Sequence, residues 1–292
     1  MTDAASAARG LLRGRRVDVR GVGIWAELHG PPDAVPVVLV HRMAAQGFEW
    51  PDELVGALID AGYCVVTFDH RGFGWSETGP LDAPLAFQEL VDDAAGVLAG
   101  FGITSAHLVG SSVGGVIARC VALQQPGLAR TLTFIGSSPG DGKLPVWSPE
   151  YTAVATNPPG PSFDERVDYL VRELRVMSDD RFDEDAARRR AVRAVERGWT
   201  LESLRRTARA AKGRSEGERD LAQLASIRVP TLVVHGTGDH VLGVEHGRAL
   251  AAAIPGSQLV VVDGMGHDVQ PHYVPTILQH LLPMLRAVDN RR

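Results

Sequence analysis

Cysteine is almost absent from this chain of 292 residues, and the two present, Cys64 and Cys120, fall inside apolar strand and helix patterns. They read as buried reduced thiols, which excludes a disulfide framework and a cysteine metal centre. Charge of one sign is also lacking. A net charge of −5 gives no general attraction to nucleic acid or to an anionic membrane, and leaves a small-molecule or protein partner as the expectation. No apolar run approaches the length of a membrane span. The first thirteen residues have no apolar core of the kind a signal peptide requires, so the default location is cytoplasmic. Metal-ligand spacings, a phosphate loop and fixed-period repeats are missing too, and no metal or cofactor is expected. Length and composition leave oligomeric state open.

Short Val- and Ile-rich runs alternate with helical-period segments. Strands are expected over 16–20, 23–29, 35–40, 63–69, 106–109, 130–135, 231–235 and 258–262, and helices over 51–61, 85–101, 113–125, 243–253 and 274–287. Continuous apolar strands separated by helices predict an α/β fold with a mostly parallel eight-stranded sheet covered on both faces. The first three strands follow one another without helices, so that edge is expected to be antiparallel. Residues 139–225 break the alternation, with a proline- and turn-rich start followed by charged helices. They are read as a helical cap inserted after the sixth strand, leaving 1–138 and 226–292 as the core. Within the cap, Arg188, Arg189, Arg190, Arg193, Arg197, Arg205, Arg206, Arg209, Lys212 and Arg214 are interspersed with acidic residues, and are read as a solvated outer face rather than a recognition surface.

Two segments match GxSxG. Gly110-Ser111-Ser112-Val113-Gly114 lies between an apolar strand and an apolar helix, the setting of a nucleophile elbow. There a sharp turn exposes the Ser112 hydroxyl, small flanking residues let the backbone cross itself, and the Val113 N–H points to where an oxyanion would form. Gly136-Ser137-Ser138-Pro139-Gly140 also follows a strand, but Pro139 has no N–H to offer and blocks helical geometry before it, so this match is read as a loop. A serine nucleophile needs a base and an orienting acid. Asp239 ends the strand-and-turn segment from Thr231, and His267 follows the next strand in a glycine-rich loop, giving the order Ser112, Asp239, His267. Asp263 and Asp268 compete for the acid role and are read as surface or loop-capping carboxylates, while His107, His235, His272 and His280 are read as structural or exposed. A second oxyanion donor is expected in the loop after the third strand, at His41-Arg42-Met43-Ala44.

With these residues the chain resembles the α/β-hydrolases, and within them the aclacinomycin methylesterase group of polyketide-tailoring enzymes. The markers are Trp50-Pro-Asp-Glu-Leu, Ala61 to Gly72 with its Asp69-His70-Arg71-Gly72 end, the elbow, Val229 to Asp239 and Gly264-Met-Gly-His267. The resemblance implies an α/β-hydrolase fold and hydrolysis of a carboxylic ester, such as a methyl ester or lactone of a polyketide-like small molecule. It also implies Met43 N–H as the second donor, with His41 steadying the loop. Where most of the family has glycine, this chain has Arg42. That arginine could distort the loop, place a cation near the substrate, or turn outward. Phe48, Trp50, Trp147 and Tyr151 are candidates for an apolar pocket lining, each against the plainer reading as core. Aspartate-nucleophile chemistries of this superfamily are disfavoured by Ser112. A perhydrolase, a C–C bond hydrolase, or a non-hydrolytic homologue that binds or cyclises a natural product remain alternatives.

Overall fold

The computed structural model describes residues 13–80, 83–213 and 221–291. The N-terminal residues 1–12 and Arg214, on which the sequence raised expectations, lie outside them. The strands are β1 Arg13–Val19, β2 Val22–His29, β3 Pro36–Val40, β4 Cys64–Phe68, β5 Ala106–Ser111, β6 Ala129–Ile135, β7 Thr231–Gly236 and β8 Gln258–Val262. Ten helices are found among the described residues: α1 Asp52–Asp60, α2 Phe87–Gly100, α3 Val113–Gln124, α4 Pro149–Ala155, α5 Phe163–Met177, α6 Glu184–Glu196, α7 Leu201–Lys212, α8 Leu221–Leu224, α9 Glu245–Ala253 and α10 Val274–Asp289.

The eight strands form one sheet in the order β1-β2-β4-β3-β5-β6-β7-β8. From β4 to β8 the pairings are parallel, and only β1–β2 and β2–β4 are antiparallel. An antiparallel edge is present as expected, but β4 rather than β3 lies beside β2 in it. β3 is separated from β2 and enters the sheet between β4 and β5, where both faces of its Val37-Val38-Leu39-Val40 run are covered.

Strand patterning follows position. β2, near the edge, alternates buried and half-buried residues, whereas β4, β5 and β7 are buried throughout. One apolar layer packs α2, α3 and α9 on the sheet through Leu90, Val97, Ile117 and Leu250. The other packs α1 and α10 through Leu54, Leu58, Ile277 and Leu281. Cys64 and Cys120 are both buried. Between β6 and β7 the chain leaves the sheet as α4 to α8, and Val167, Leu170, Val171, Ala194 and Trp199 form an apolar cluster with Phe73, Ala44, Met43 and Phe48 of the sheet portion.

The solvated-face reading fails for three arginines of this insertion. Arg206 is half-buried and donates to the backbone oxygens of Thr78, Pro80 and Ala83. Arg197 is buried and donates to Asp69 Oδ2 at 2.8 Å and Gln46 Oε1 at 2.9 Å. Arg190 donates to Glu49 and Asp268. A helical pattern shows which face carries charge, but not whether carboxylates far along the chain await it. Arg188, Arg189, Arg193, Arg205 and Arg209 are exposed as expected.

Candidate active site

Ser112 stands between β5 and α3 with φ 54° and ψ −124°, a conformation that disfavours any residue with a Cβ. Three hydrogen bonds hold it there: Ser112 N–H to Ile135 O at 2.9 Å, Gly115 N–H to Ser112 O at 3.0 Å, and Ser137 Oγ–H to Ser112 O at 2.6 Å. The flanking glycines are required by contact. A Cβ on Gly110 would lie 2.4 Å from Gly114 O, and one on Gly114 would lie 2.1 Å from Val40 O. The second contact also sets the start of α3 against the end of β3, which brings the His41–Ala44 loop beside the serine. The second GxSxG match is a loop with no helix following it. Its Ser137 nevertheless braces the elbow, a role its sequence context did not show.

Asp239 and His267 arrive from the ends of β7 and β8. His267 Nδ1 lies 2.8 Å from Asp239 Oδ2, and both side chains are buried. A Cβ on Gly136, which directly follows the Ile135 carbonyl holding Ser112, would come within 3.3 Å of Asp239 Oδ2 and 3.5 Å of His267 Nδ1. Serine, imidazole and carboxylate thus converge on one corner of the sheet. Asp239 Oδ1 accepts the N–H groups of Val241 at 2.8 Å and Leu242 at 2.7 Å. Burial alone would raise the Asp239 carboxyl, but the charge and hydrogen bonding of His267 and His235 hold it well below the usual carboxylate range. His235 Nε2 donates to Leu242 O at 2.7 Å and lies 3.3 Å from Asp239 Oδ2. Expected to be structural or exposed, it is buried and lies against the acid. The only sequence signal was its place four residues before Asp239, on a strand buried at every position.

At the end of β3, Arg42 N–H donates to His41 Nδ1 at 2.8 Å, His70 Nε2 donates to His41 O at 2.9 Å, and the His41 ring stacks on Trp50 at 4.5 Å. Burial, then Arg42 and Arg190, push His41 well below its ordinary pKa, so it is neutral. Ala44 has φ 64°, a second strained residue. Neither Met43 N–H nor Val113 N–H donates a hydrogen bond among the described residues. Arg42 does not turn outward. It is buried, donates to Met43 O at 3.3 Å, and lies 3.4 Å from Glu49 Oε2 and 3.6 Å from Asp268 Oδ1.

Asp268 is not a surface carboxylate. Arg190 of α6 grips it in a bidentate pair, donating to Oδ2 at 2.7 Å and Oδ1 at 2.9 Å, and reaches Glu49 Oε2 at 2.9 Å. Despite full burial, Arg190 and then Arg42 hold the Asp268 carboxyl well below its ordinary range. Asp268 N–H also donates to Met177 O at 2.9 Å. The His267 loop, the Arg42 loop and the insertion are therefore tied through one buried charge cluster. Asp263 is exposed and accepts from Thr237 Oγ1 at 2.9 Å, as a loop cap does.

The aromatic candidates separate. Trp50 is core. Phe48 lies under the guanidinium groups of Arg193 and Arg197, at 4.2 Å and 5.2 Å. Trp147 is 41% exposed and edge-on to Tyr151, whose hydroxyl donates to Glu173 Oε1 at 2.9 Å. A cavity of about 1020 Å³ opens elsewhere, between the start of α2 and α7, and is lined by Phe87, Arg205, Arg206 and Arg209 but by no member of the serine, histidine and aspartate group. Among the described residues no cluster of His, Cys, Asp and Glu is placed to hold a metal ion, and no helix is long and apolar enough to cross a membrane.

Comparison with known proteins places these features in a family. The family model of the alpha/beta hydrolase fold matches residues 35–271. Over 84% of its length the chain is 30% identical to rhodomycin D methylesterase of Streptomyces peucetius, of which 89% is covered. It is 26% identical to 2-hydroxymuconate semialdehyde hydrolase of Pseudomonas putida, covering 94% of this chain and 92% of that one. In fold it is similar to the solved 2-hydroxy-6-oxo-6-phenylhexa-2,4-dienoate hydrolase of Rhodococcus sp. strain RHA1, with a TM-score of 0.77 at 22% identity, covering 94% of this chain and 99% of that one.

Proposed function

The chain belongs to the alpha/beta hydrolase fold family, and from that premise we propose that it is a serine hydrolase cleaving a carboxylic ester through Ser112, His267 and Asp239. The observation carrying the reading is the convergence of a strained Ser112 with the 2.8 Å His267–Asp239 pair at one sheet corner. Asp239 fixes the proton on His267 Nδ1, which leaves Nε2 as the base. Nε2 takes the Ser112 proton as Oγ attacks the ester carbonyl. The Val113 and Met43 N–H groups hold the oxyanion, and the imidazolium returns its proton to the departing alcohol oxygen. Water activated by the same nitrogen then releases the acid and restores Ser112. The insertion acts as a cap that keeps bulk water from the acyl-enzyme.

The likeness to rhodomycin D methylesterase supports a methyl ester on a polyketide-like small molecule as the substrate class. The likeness to 2-hydroxymuconate semialdehyde hydrolase keeps C–C bond hydrolysis as a second reading. Arg42 is paired with Glu49 and Asp268 and leaves both amides uncommitted, which favours hydrolysis over a non-hydrolytic role. The test is a panel of methyl esters, aryl lactones and vinylogous diketones assayed with wild type and Ser112→Ala. Ser112-dependent methanol release supports the methylesterase reading. Turnover of the diketones alone would replace it with C–C hydrolysis, and turnover by Ser112→Ala would overturn the acyl-enzyme.

A further inference from the structure

We propose that Glu173, with Tyr151 beside it, forms a subsite in the roof of the active site that takes a protonated amino group of the substrate. The inference rests on the ester-hydrolase reading for the location of the reacting bond and deepens it by naming a substrate class. Glu173 lies on α5, whose packing locates it. Leu170, one turn before on the same face, joins the cluster that contains Met43 and Ala44, while Met177, one turn after, joins Val241 of the Asp239 loop. Met177 O receives the Asp268 N–H, next to His267. The Glu173 side chain therefore hangs between the three loops that carry the oxyanion donor, the acid and the base. It is only 6% exposed.

A buried carboxylate is normally matched by a cation or by several donors. Glu173 has one donor, Tyr151 Oη at 2.9 Å to Oε1, and its Oε2 accepts no hydrogen bond among the described residues. The nearby guanidinium groups are already engaged. Arg190 serves Glu49 and Asp268, and Arg42 lies 3.4 Å and 3.6 Å from the same two carboxylates. Three carboxylates, those of Glu49, Asp268 and Glu173, thus share two cations, and the one in excess lies in the roof. Burial raises the Glu173 carboxyl above its usual range, against the opposing pull of Arg42 and Tyr151. An ammonium group on the substrate supplies the missing charge and a donor for Oε2, and Tyr151 keeps the carboxylate oriented.

The experiment compares kcat/KM for two methyl benzoates, one with a para-aminomethyl and one with a para-hydroxymethyl group, in wild type and in Glu173→Gln. The ratio of amine to alcohol ester should fall about tenfold or more in Glu173→Gln, the range of one charge-assisted contact. An unchanged ratio overturns the subsite. Because both esters are measured on one preparation, partial misfolding cancels. A parallel measurement needs neither ester turnover nor a folded variant. Benzylammonium should raise the melting temperature of wild type where benzyl alcohol does not, and equal effects overturn the proposal. If neither ester is hydrolysed while benzylammonium still raises the melting temperature, the cation subsite stands and the panel of esters, lactones and diketones decides the hydrolase reading.

Discussion

Arg190→Met removes the guanidinium that joins the insertion to the His267 loop while keeping a side chain of similar length. In the intact protein that group donates twice to Asp268, at 2.7 Å and 2.9 Å, and once to Glu49, at 2.9 Å. After substitution, two buried carboxylates face Arg42 alone, at 3.4 Å and 3.6 Å. Orphaning a buried charge costs about 3–5 kcal/mol. The Arg190 side chain is itself 20% exposed, so the lower end applies and a loss of about 3 kcal/mol is expected. With a urea slope of roughly 3 kcal/mol per molar for a chain of this size, the unfolding midpoint falls by about 1 M.

The loss should depend on pH in a fixed direction. Burial would raise the Asp268 carboxyl, but Arg190 and then Arg42 depress it well below the usual range. A group depressed on folding stabilises fully above its unfolded pKa, at about 4, and the contribution fades as pH falls through the folded value. The gap between wild type and Arg190→Met should therefore be greatest near about pH 7 and shrink towards about pH 3. Urea unfolding followed by tryptophan fluorescence at several pH values measures it. Adding Asp268→Asn to Arg190→Met should recover part of the loss, because the orphaned charge is gone. A midpoint at about pH 7 within about 0.2 M of wild type, or a gap indifferent to pH, would refute the view that this cluster is desolvated and cohesive.

Two further outcomes follow from the site. Ser112→Gly relieves a positive-φ residue and adds glycine's unfolded-state entropy, a net gain of about 1 kcal/mol that raises the melting temperature by about 2–4 °C while hydrolysis is abolished. A lower melting temperature would show that the elbow is unstrained. Asp239→Asn keeps the shape but no longer holds the imidazole proton on Nδ1, and should lower kcat by about 10³- to 10⁴-fold with a smaller effect on KM. A loss below about tenfold in steady-state assays would assign the acid role elsewhere.

Much of the sheet was legible because apolar strands and amphipathic helices leave local periodic signals. Each expected strand occurs within a few residues of its place, and the α/β-hydrolase fold follows the alternation. The position of β3 was not legible, since strand order depends on crossovers that leave no mark on the strand's own residues. The elbow was readable because Gly110, Ser112 and Gly114 are set by contacts within a short loop and with the end of β3. The charge cluster was not. Arg190 meets Asp268 across 78 residues and Glu49 across 141, and Arg197 meets Asp69 across 128, so each reads locally as a helix-surface charge. Asp268 reads as a loop carboxylate for the same reason, and Glu173 as one charge among many on its helix.

The central claim is that Ser112 is the activated nucleophile of a working oxyanion site. Incubation with a fluorophosphonate, followed by peptide mass analysis, tests it most directly. The account predicts a stoichiometric adduct on Ser112, formed in wild type and absent from Ser112→Ala. Folded wild type that stays unlabelled, or an adduct on Ser138 or another residue instead, would contradict it.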